Sequence, residues 1–438
     1  MQNSIRSRGE NAFCVFALVI FVGAFTTLPP RMQGVELAVG ESNPYSTVAN
    51  TGVLAGLLVL IAISWREVVF VARHGGAVSL LVILSLFSIL WSEAPDVSAR
   101  RGLLLLTAVM FAHYLVARYS VEDIIRLSAI ALGIAMASSA AVAVALPSVG
   151  VMMEESDVAG AWSGVFAHKT SLGGATILAV LCFGWLMRHG ERHRLLNFTM
   201  LLLSLFLAIM ARSRTAQVTI FLICSFAVFM PLLRVPGLTK VWATYGMVVT
   251  ALAFGVTLYL FFDEIVAALG KDASLTGRVP GWQSLLAMAA ERPFGGRGLS
   301  AFFVAGNPDL EGIWRKSGWV MWGAHNNFIQ MLLDLGVPGL VLASWAIGEM
   351  IWRALKAWIA GTARWASFAL LFGITCPAIN MFEDALFRNG DMQLVLFSVL
   401  FLALRLHRAA ALARIQLASV RPGRPLHPNY AAFNSAER

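Results

Sequence analysis

Charge is what this chain lacks most. Of its 438 residues only 13% are Asp, Glu, Lys or Arg, about half the ~25% of an ordinary soluble domain. A soluble globular domain is thereby excluded. The scarcity is sharpest at the centres of the apolar runs, where an ion-coupled carrier needs ionisable groups near the membrane midplane. Asp334, Glu349, Glu383 and Asp384 all fall near run ends. Cysteine is also rare. Cys14, Cys182, Cys224 and Cys376 lie at unrelated spacings inside apolar runs, which excludes a disulfide framework and a zinc site and leaves small core residues. His189 and His193 are spaced as metal ligands can be, yet "HGERH" lacks the glutamate placement of a zinc protease. Internal repeats and low-complexity tracts are missing too.

What is abundant is hydrocarbon. The chain is 58% hydrophobic with a mean hydropathy of +0.74, and runs long enough for a ~30 Å hydrocarbon core recur throughout. Twelve are legible, at 12–28, 46–64, 77–90, 102–117, 127–146, 172–187, 195–210, 217–233, 241–262, 328–351, 366–387 and 392–406. The expected fold is therefore an all-α polytopic membrane protein. Arg6 and Arg8 precede the first run in the manner of a signal peptide, but "LPPRMQG" follows where a cleavage site belongs, so the first span is expected to stay attached.

With the N-terminus in the cytoplasm, 20 of the 33 Lys and Arg fall inside and 13 outside, as the positive-inside rule requires. The formal net charge of +9 is then mostly topology, with no nucleic-acid partner implied. The expected layout is nine spans over 1–262, a long outer loop at 263–324, three spans over 325–409 and a basic cytoplasmic tail at 410–438.

The outer loop of about 60 residues is long enough to be functional or disordered. Its aromatics and glycines argue for order. "SLTGRVPGWQSLLAMAAERPFGGRGLSAF" predicts a short helix, capped by Ser274 or Thr276, with Pro280 in its first turn and Pro293 after its end. Trp282, Leu285, Leu286 and Ala289 form one face, expected to lie down on the membrane surface. Arg278 and Trp282, four apart, share a possible face.

Directly after this loop stands "AHNNFIQMLLDLGVPGL". His325 and Asn326 either cap the next helix or do chemistry. In the second case the imidazole is a general base near neutral pH, Asn326 or Asn327 orients it or the substrate, and the helix start offers free N–H groups to an anion. Arg212 and Arg214 in "ARSRTAQ" occupy a short outer turn where cations are disfavoured. They either reach lipid headgroups or bind an anionic lipid group through their planar forks. Arg278 adds a third guanidinium, and Lys169, beside His168 in "FAHKTSLGG", another cation or an interface anchor. Together they suit a lipid-linked pyrophosphate, with His325 taking the proton of an incoming hydroxyl. No metal or other cofactor is called for. The nearest acidic pair, Glu155 and Asp157, reads as a solvated loop. The rival readings are a multi-span transporter of lipid-linked sugar or another polar solute, and a non-catalytic scaffold, which leaves these residues without a purpose.

The stretches "LTGRVPGWQSLLAMAAERPFGGRGLSAF" and "AHNNFIQMLLDLGVPGL" resemble the O-antigen ligase superfamily of ligases, O-antigen-type polymerases and ExoQ-like exopolysaccharide production proteins. "LWSEAPDVSARRGLLL" and "WSGVFAHKTSLGG" lean toward the ExoQ-like branch. The resemblance implies a GT-C-like, inverting, metal-independent glycosyltransferase. Its donor is an undecaprenyl-pyrophosphate-linked glycan, met on the periplasmic side of the bacterial inner membrane. It implies a glycan or lipid acceptor, membrane lipid and other polysaccharide-assembly proteins as partners. By motif, His325 takes the base role, Arg214 and Arg278 the pyrophosphate roles and Arg212 a helper role, with Asn326 and Trp282 beside the substrate. Thr170 stands where the family often has Asn, which weakens the case for Lys169.

Overall fold

The computed structural model describes residues 2–33, 43–153, 159–189, 193–234, 237–238, 241–242, 244–245, 278–317, 320–381, 383, 386–387 and 390–420. Among them the chain is helical, with an isolated β-bridge between Val151 and Trp162. The first half comprises α1 (Gln2–Phe21), α2 (Leu28–Met32), α3 (Pro44–Ile63), α4 (Trp65–Ala72), α5 (Gly76–Phe87), a 3-10 turn (Ser88–Trp91), α6 (Pro95–Arg118), α7 (Val121–Ala145) and α8 (Pro147–Gly150). The rest comprises α9 (Lys169–His189), α10 (Arg194–Met210), α11 (Arg214–Leu232), α12 (Arg278–Ala290), α13 (Pro308–Ser317), α14 (Asn327–Ala360), α15 (Ala366–Asn380) and α16 (Met392–Val420).

Six of these, α3, α6, α7, α9, α11 and α14, are long and apolar enough to cross a membrane. A seventh span is added if α4 and the segment Gly76–Trp91, bent by 96°, count as one. The helices α10, α15 and the Met392–His407 part of α16 are apolar but shorter. The expected ninth span at 241–262 lies mostly outside the described residues, as do Ser274, Thr276, Glu155, Asp157, Asp384 and the tail from 421. Large apolar side chains such as Val59, Ile63, Leu195, Ile209, Phe221 and Val228 stand on the outside of the bundle. In water such a surface is a liability; in lipid it is the solvated face. The protein is a multi-pass membrane protein.

Burial sorts the helices. The apolar window of α9 is 72% buried and that of α3 only 11%, so α9 is an inner pillar and α3 lies at the periphery. Around α9 pack α7, α10, α11 and α15, while α14 packs on α5, α15 and α16. One continuous core runs through all of them.

A second, smaller core sits at one end. Leu285 and Ala289 of α12, Leu310 and Ile313 of α13, Phe302, Phe303, Met321, Ala324 and Leu333 of α14 bury one another. The apolar face expected to lie down on the membrane surface packs on protein instead. The helix exists, begins at Arg278 and stops before Pro293, but its apolar face is used against protein. Leu286, assigned to that face, points outward at 44% exposure.

The helix α14 is broken. Gly336 has φ 68° and ψ −165°, and Pro338 carries no N–H, so the carbonyls of Leu333 and Asp334 lose their helical donors. The turn after α12 replaces them. Arg297 N–H donates to Leu333 O and Gly298 N–H to Asp334 O, both at 2.9 Å, while Val337 N–H donates to Pro293 O at 2.7 Å. Buried backbone groups are rarely left unpaired, and here the Pro293–Gly298 turn fills the break. Its own back is held by the segment before α6 and the first turn of that helix. Trp91 donates to Gly295 O at 2.7 Å, Ser98 Oγ to Leu299 O at 2.9 Å, and Glu93 pairs with Arg297 at 2.7 Å.

Candidate functional site

Three helices start, and one ends, around the same end of the bundle. Ser213 caps α11 by accepting the Ala216 N–H, and it packs so tightly on Gly173 of α9 that a Cβ there would meet it at 2.7 Å. The start of α11 therefore lies beside the start of α9, one turn from Lys169. Just ahead of α9, His168 lies within electrostatic range of Lys169, Glu383, His325 and Arg31, which brings the end of α15 and the start of α14 to the same place. Helix N-termini carry partial positive charge, so this end of the bundle favours an anion.

His325 has an unusual backbone within it. It adopts the left-handed region at φ 46°, uncommon for a residue other than glycine. Its Nδ1 lies 3.5 Å from Glu383 Oε2, and both side chains are 19% exposed. That is shielded enough to strengthen the pairing, yet open to a bound substrate. A carboxylate at this distance is placed to pair with the imidazole through Nδ1, leaving Nε2 for other partners. Glu383 was not singled out in the sequence except as a charge near a run end. The usable signal was topological: the end of the eleventh run falls on the same side as His325.

Burial, and after it the Lys169 charge, hold His168 below the ordinary histidine pKa. The backbone N–H of Thr170 donates to its Nδ1 at 3.3 Å, with Thr170 Oγ1 at 3.0 Å. The neutral ring therefore carries its proton on Nε2. The loop ending in His168 is tied down by Arg31, which donates to Phe166 O, Val149 O and Ser163 Oγ.

The remaining predicted residues divide. Arg214 opens α11 and is exposed at the site end. Arg212, also exposed, has φ 49° and donates to Ala159 O at 2.9 Å, so it braces the neighbouring loop. Lys169 opens α9 and is half-buried. Arg278 opens α12, but its side chain lies outside the described residues. Asn326 is a helix cap. Its Oδ1 accepts the N–H groups of Phe328 and Ile329, and the capping reading holds for it while His325 faces Glu383. Trp282 is partly buried against the second core. Its Nε1 donates to Ala324 O at 2.7 Å. Asn327, the alternative to Asn326 as an orienting residue, is fully buried, and its side-chain N and O atoms are without hydrogen-bond partners among the described residues. Nor do any three His, Cys, Asp or Glu side chains among them gather as metal ligands.

Residues 198–344 match the O-antigen ligase family. The O-antigen ligase match covers α10 to α13 and α14 past its break, hence Arg212, Arg214, Arg278, Trp282 and His325, and leaves His168 and Glu383 outside. The chain is also 24% identical over 310 residues to the exopolysaccharide production protein ExoQ of Rhizobium meliloti (strain 1021), covering 68% of this chain and 69% of that protein. The O-antigen ligase and ExoQ-like resemblance read from the loop motifs is thus found by comparison as well.

Proposed function

We propose that this protein is an inverting glycosyltransferase of surface-polysaccharide biosynthesis. It acts at the periplasmic face of the bacterial inner membrane on an undecaprenyl-pyrophosphate-linked glycan. The observation that carries the reading is the imidazole of His325 set against Glu383 where α9, α11 and α14 begin. An acceptor hydroxyl attacks the anomeric carbon of the donor glycan. His325 takes the hydroxyl proton as the new C–O bond forms, and Glu383 stabilises the resulting imidazolium. The bond from the anomeric carbon to the pyrophosphate oxygen breaks, and undecaprenyl pyrophosphate leaves with the electron pair. Its charge is met by Arg214 and Arg278, whose forks suit phosphate oxygens, with Lys169, Arg212 and the helix N-termini adding to the field. One displacement inverts the anomeric centre. The ExoQ likeness and the O-antigen ligase match support a role in building or attaching polymer.

The test is transfer by purified, folded His325→Ala. Loss of a general base costs about 10²–10⁴-fold in rate, with donor binding retained; transfer near wild type removes His325 from the mechanism. Lipid-linked pools in a deletion strain separate the two reactions. Single repeat units held on lipid identify a polymerase, and long chains held on lipid identify a ligase.

A further inference from the structure

We infer that Trp282 and Gln330 are positioning residues that hold His325 in its left-handed conformation and so aim its imidazole. The inference rests on His325 being the base. A non-glycine residue in the left-handed region costs on the order of 1–3 kcal/mol and persists only where its surroundings over-determine it. Those surroundings are visible. The angle φ of His325 is a rotation about its own N–Cα bond, measured against the plane of the Ala324–His325 peptide. Trp282 Nε1 donates to the carbonyl of that peptide at 2.7 Å and so fixes the plane. The peptide before it is held through its N–H, which Ala324 donates to Gln330 Oε1 at 3.0 Å. On the far side the Asn326 cap fixes the chain as it enters α14, and Asn326 O accepts the Gln330 N–H at 2.9 Å. Both polar groups of Ala324 are thus held by side chains, one from α12 and one from α14.

The clamp is itself anchored. Gln330 Nε2 donates to Asp334 Oδ1 at 2.9 Å, which fixes which end of the amide faces Ala324. Ala324, Gln330 and Asp334 are fully buried, so water does not compete for these bonds and each is electrostatically stronger than in solution. Asp334 O accepts from Gly298, so the turn that fills the α14 break also seats the anchor. In the sequence this is the spacing Asn327, Gln330, Asp334 on one helical face inside an apolar run. A buried polar stripe there has a purpose if it sets a geometry.

Trp282→Phe keeps an aromatic ring in the second core and deletes the donor; Gln330→Met keeps the length and deletes both polar ends. Steady-state transfer is measured for each purified variant, with donor and acceptor both varied. A misplacement of the base by a fraction of an ångström to one ångström costs about 10–100-fold. That loss is expected in kcat, with KM for the lipid-linked donor within about twofold of wild type. In a His325→Ala background the same substitutions are expected to leave the residual rate unchanged. A raised KM at constant kcat would make Trp282 a substrate contact and overturn the inference. So would wild-type kcat, or an equal fractional loss without His325. Wild-type transfer by His325→Ala alone would instead remove the base assignment on which the clamp depends.

Discussion

At the scale of single residues, chemistry depends on which neighbour a side chain meets. His325, Arg214 and Arg278 stand out in the sequence because charged and polar residues are scarce in an apolar chain, and the expected topology puts all three on one side. Glu383 was not, because its partner lies 58 positions earlier and no local pattern joins them. If Glu383 stabilises the imidazolium, Glu383→Gln keeps the shape and removes the charge. If the 3.5 Å contact tightens to a charge-assisted hydrogen bond as the imidazole gains its proton, it contributes roughly 1.5–3 kcal/mol, so transfer is expected to fall by about 10–100-fold with membrane levels unchanged. Activity equal to wild type would leave Glu383 a bystander. Arg278 is tested by charge conservation. Arg278→Lys keeps the cation and loses the planar fork, and a drop of about tenfold or more in transfer is expected by the same arithmetic. A fully active lysine variant would reduce Arg278 to an interface anchor.

At the scale of elements, hydropathy located the helices it could: runs at 102–117, 127–146, 172–187 and 217–233 correspond to α6, α7, α9 and α11. It read straight through the α14 break, although "DLGVPG" contains both the glycine and the proline that cause it. Periodicity reports which residues face a core, not whether a carbonyl finds a distant donor. The donors come from "RPFGGRG", some 40 positions earlier. The fit leaves no room for a side chain. A Cβ on Gly336 would meet Pro293 O at 2.5 Å, and one on Gly296 the Asp334 carbonyl at 2.4 Å, with φ at 68° and 64°. Gly336→Ala and Gly296→Ala are each expected to cost more than the ~1 kcal/mol of an ordinary left-handed substitution, because backbone must also move. The measurement is thermal unfolding in detergent, joined by faster proteolysis at the 293–298 turn. An unchanged melting temperature and protection pattern for both variants would mean that the turn does not fill the break in solution.

At the scale of the whole molecule, the mechanism demands one orientation. The site end must face the periplasm, where lipid-linked glycans are assembled into polymer, and the end carrying the α14–α15 connection must face the cytoplasm. The motive is the split of 20 inside cations against 13 outside that the expected twelve-span layout gives the 33 Lys and Arg, a bias that sets topology during insertion. The structure supplies the places to test it. Phe294, at 80% exposure, marks the site end beside the turn, and exposed Ala360 closes α14 at the other. Cys14, Cys182 and Cys376 are buried, so Cys224→Ser alone removes the exposed thiol. On that background, Phe294→Cys is expected to react with a membrane-impermeant maleimide in spheroplasts, and Ala360→Cys only after the membrane is opened. The two positions serve as each other's control, because a leaky preparation labels both and a shielded one neither. Labelling in the reverse order would put His325 and Glu383 in the cytoplasm, away from the proposed donor. The glycosyltransferase reading would then fail at its largest scale, whatever the residues around His325 do in detergent.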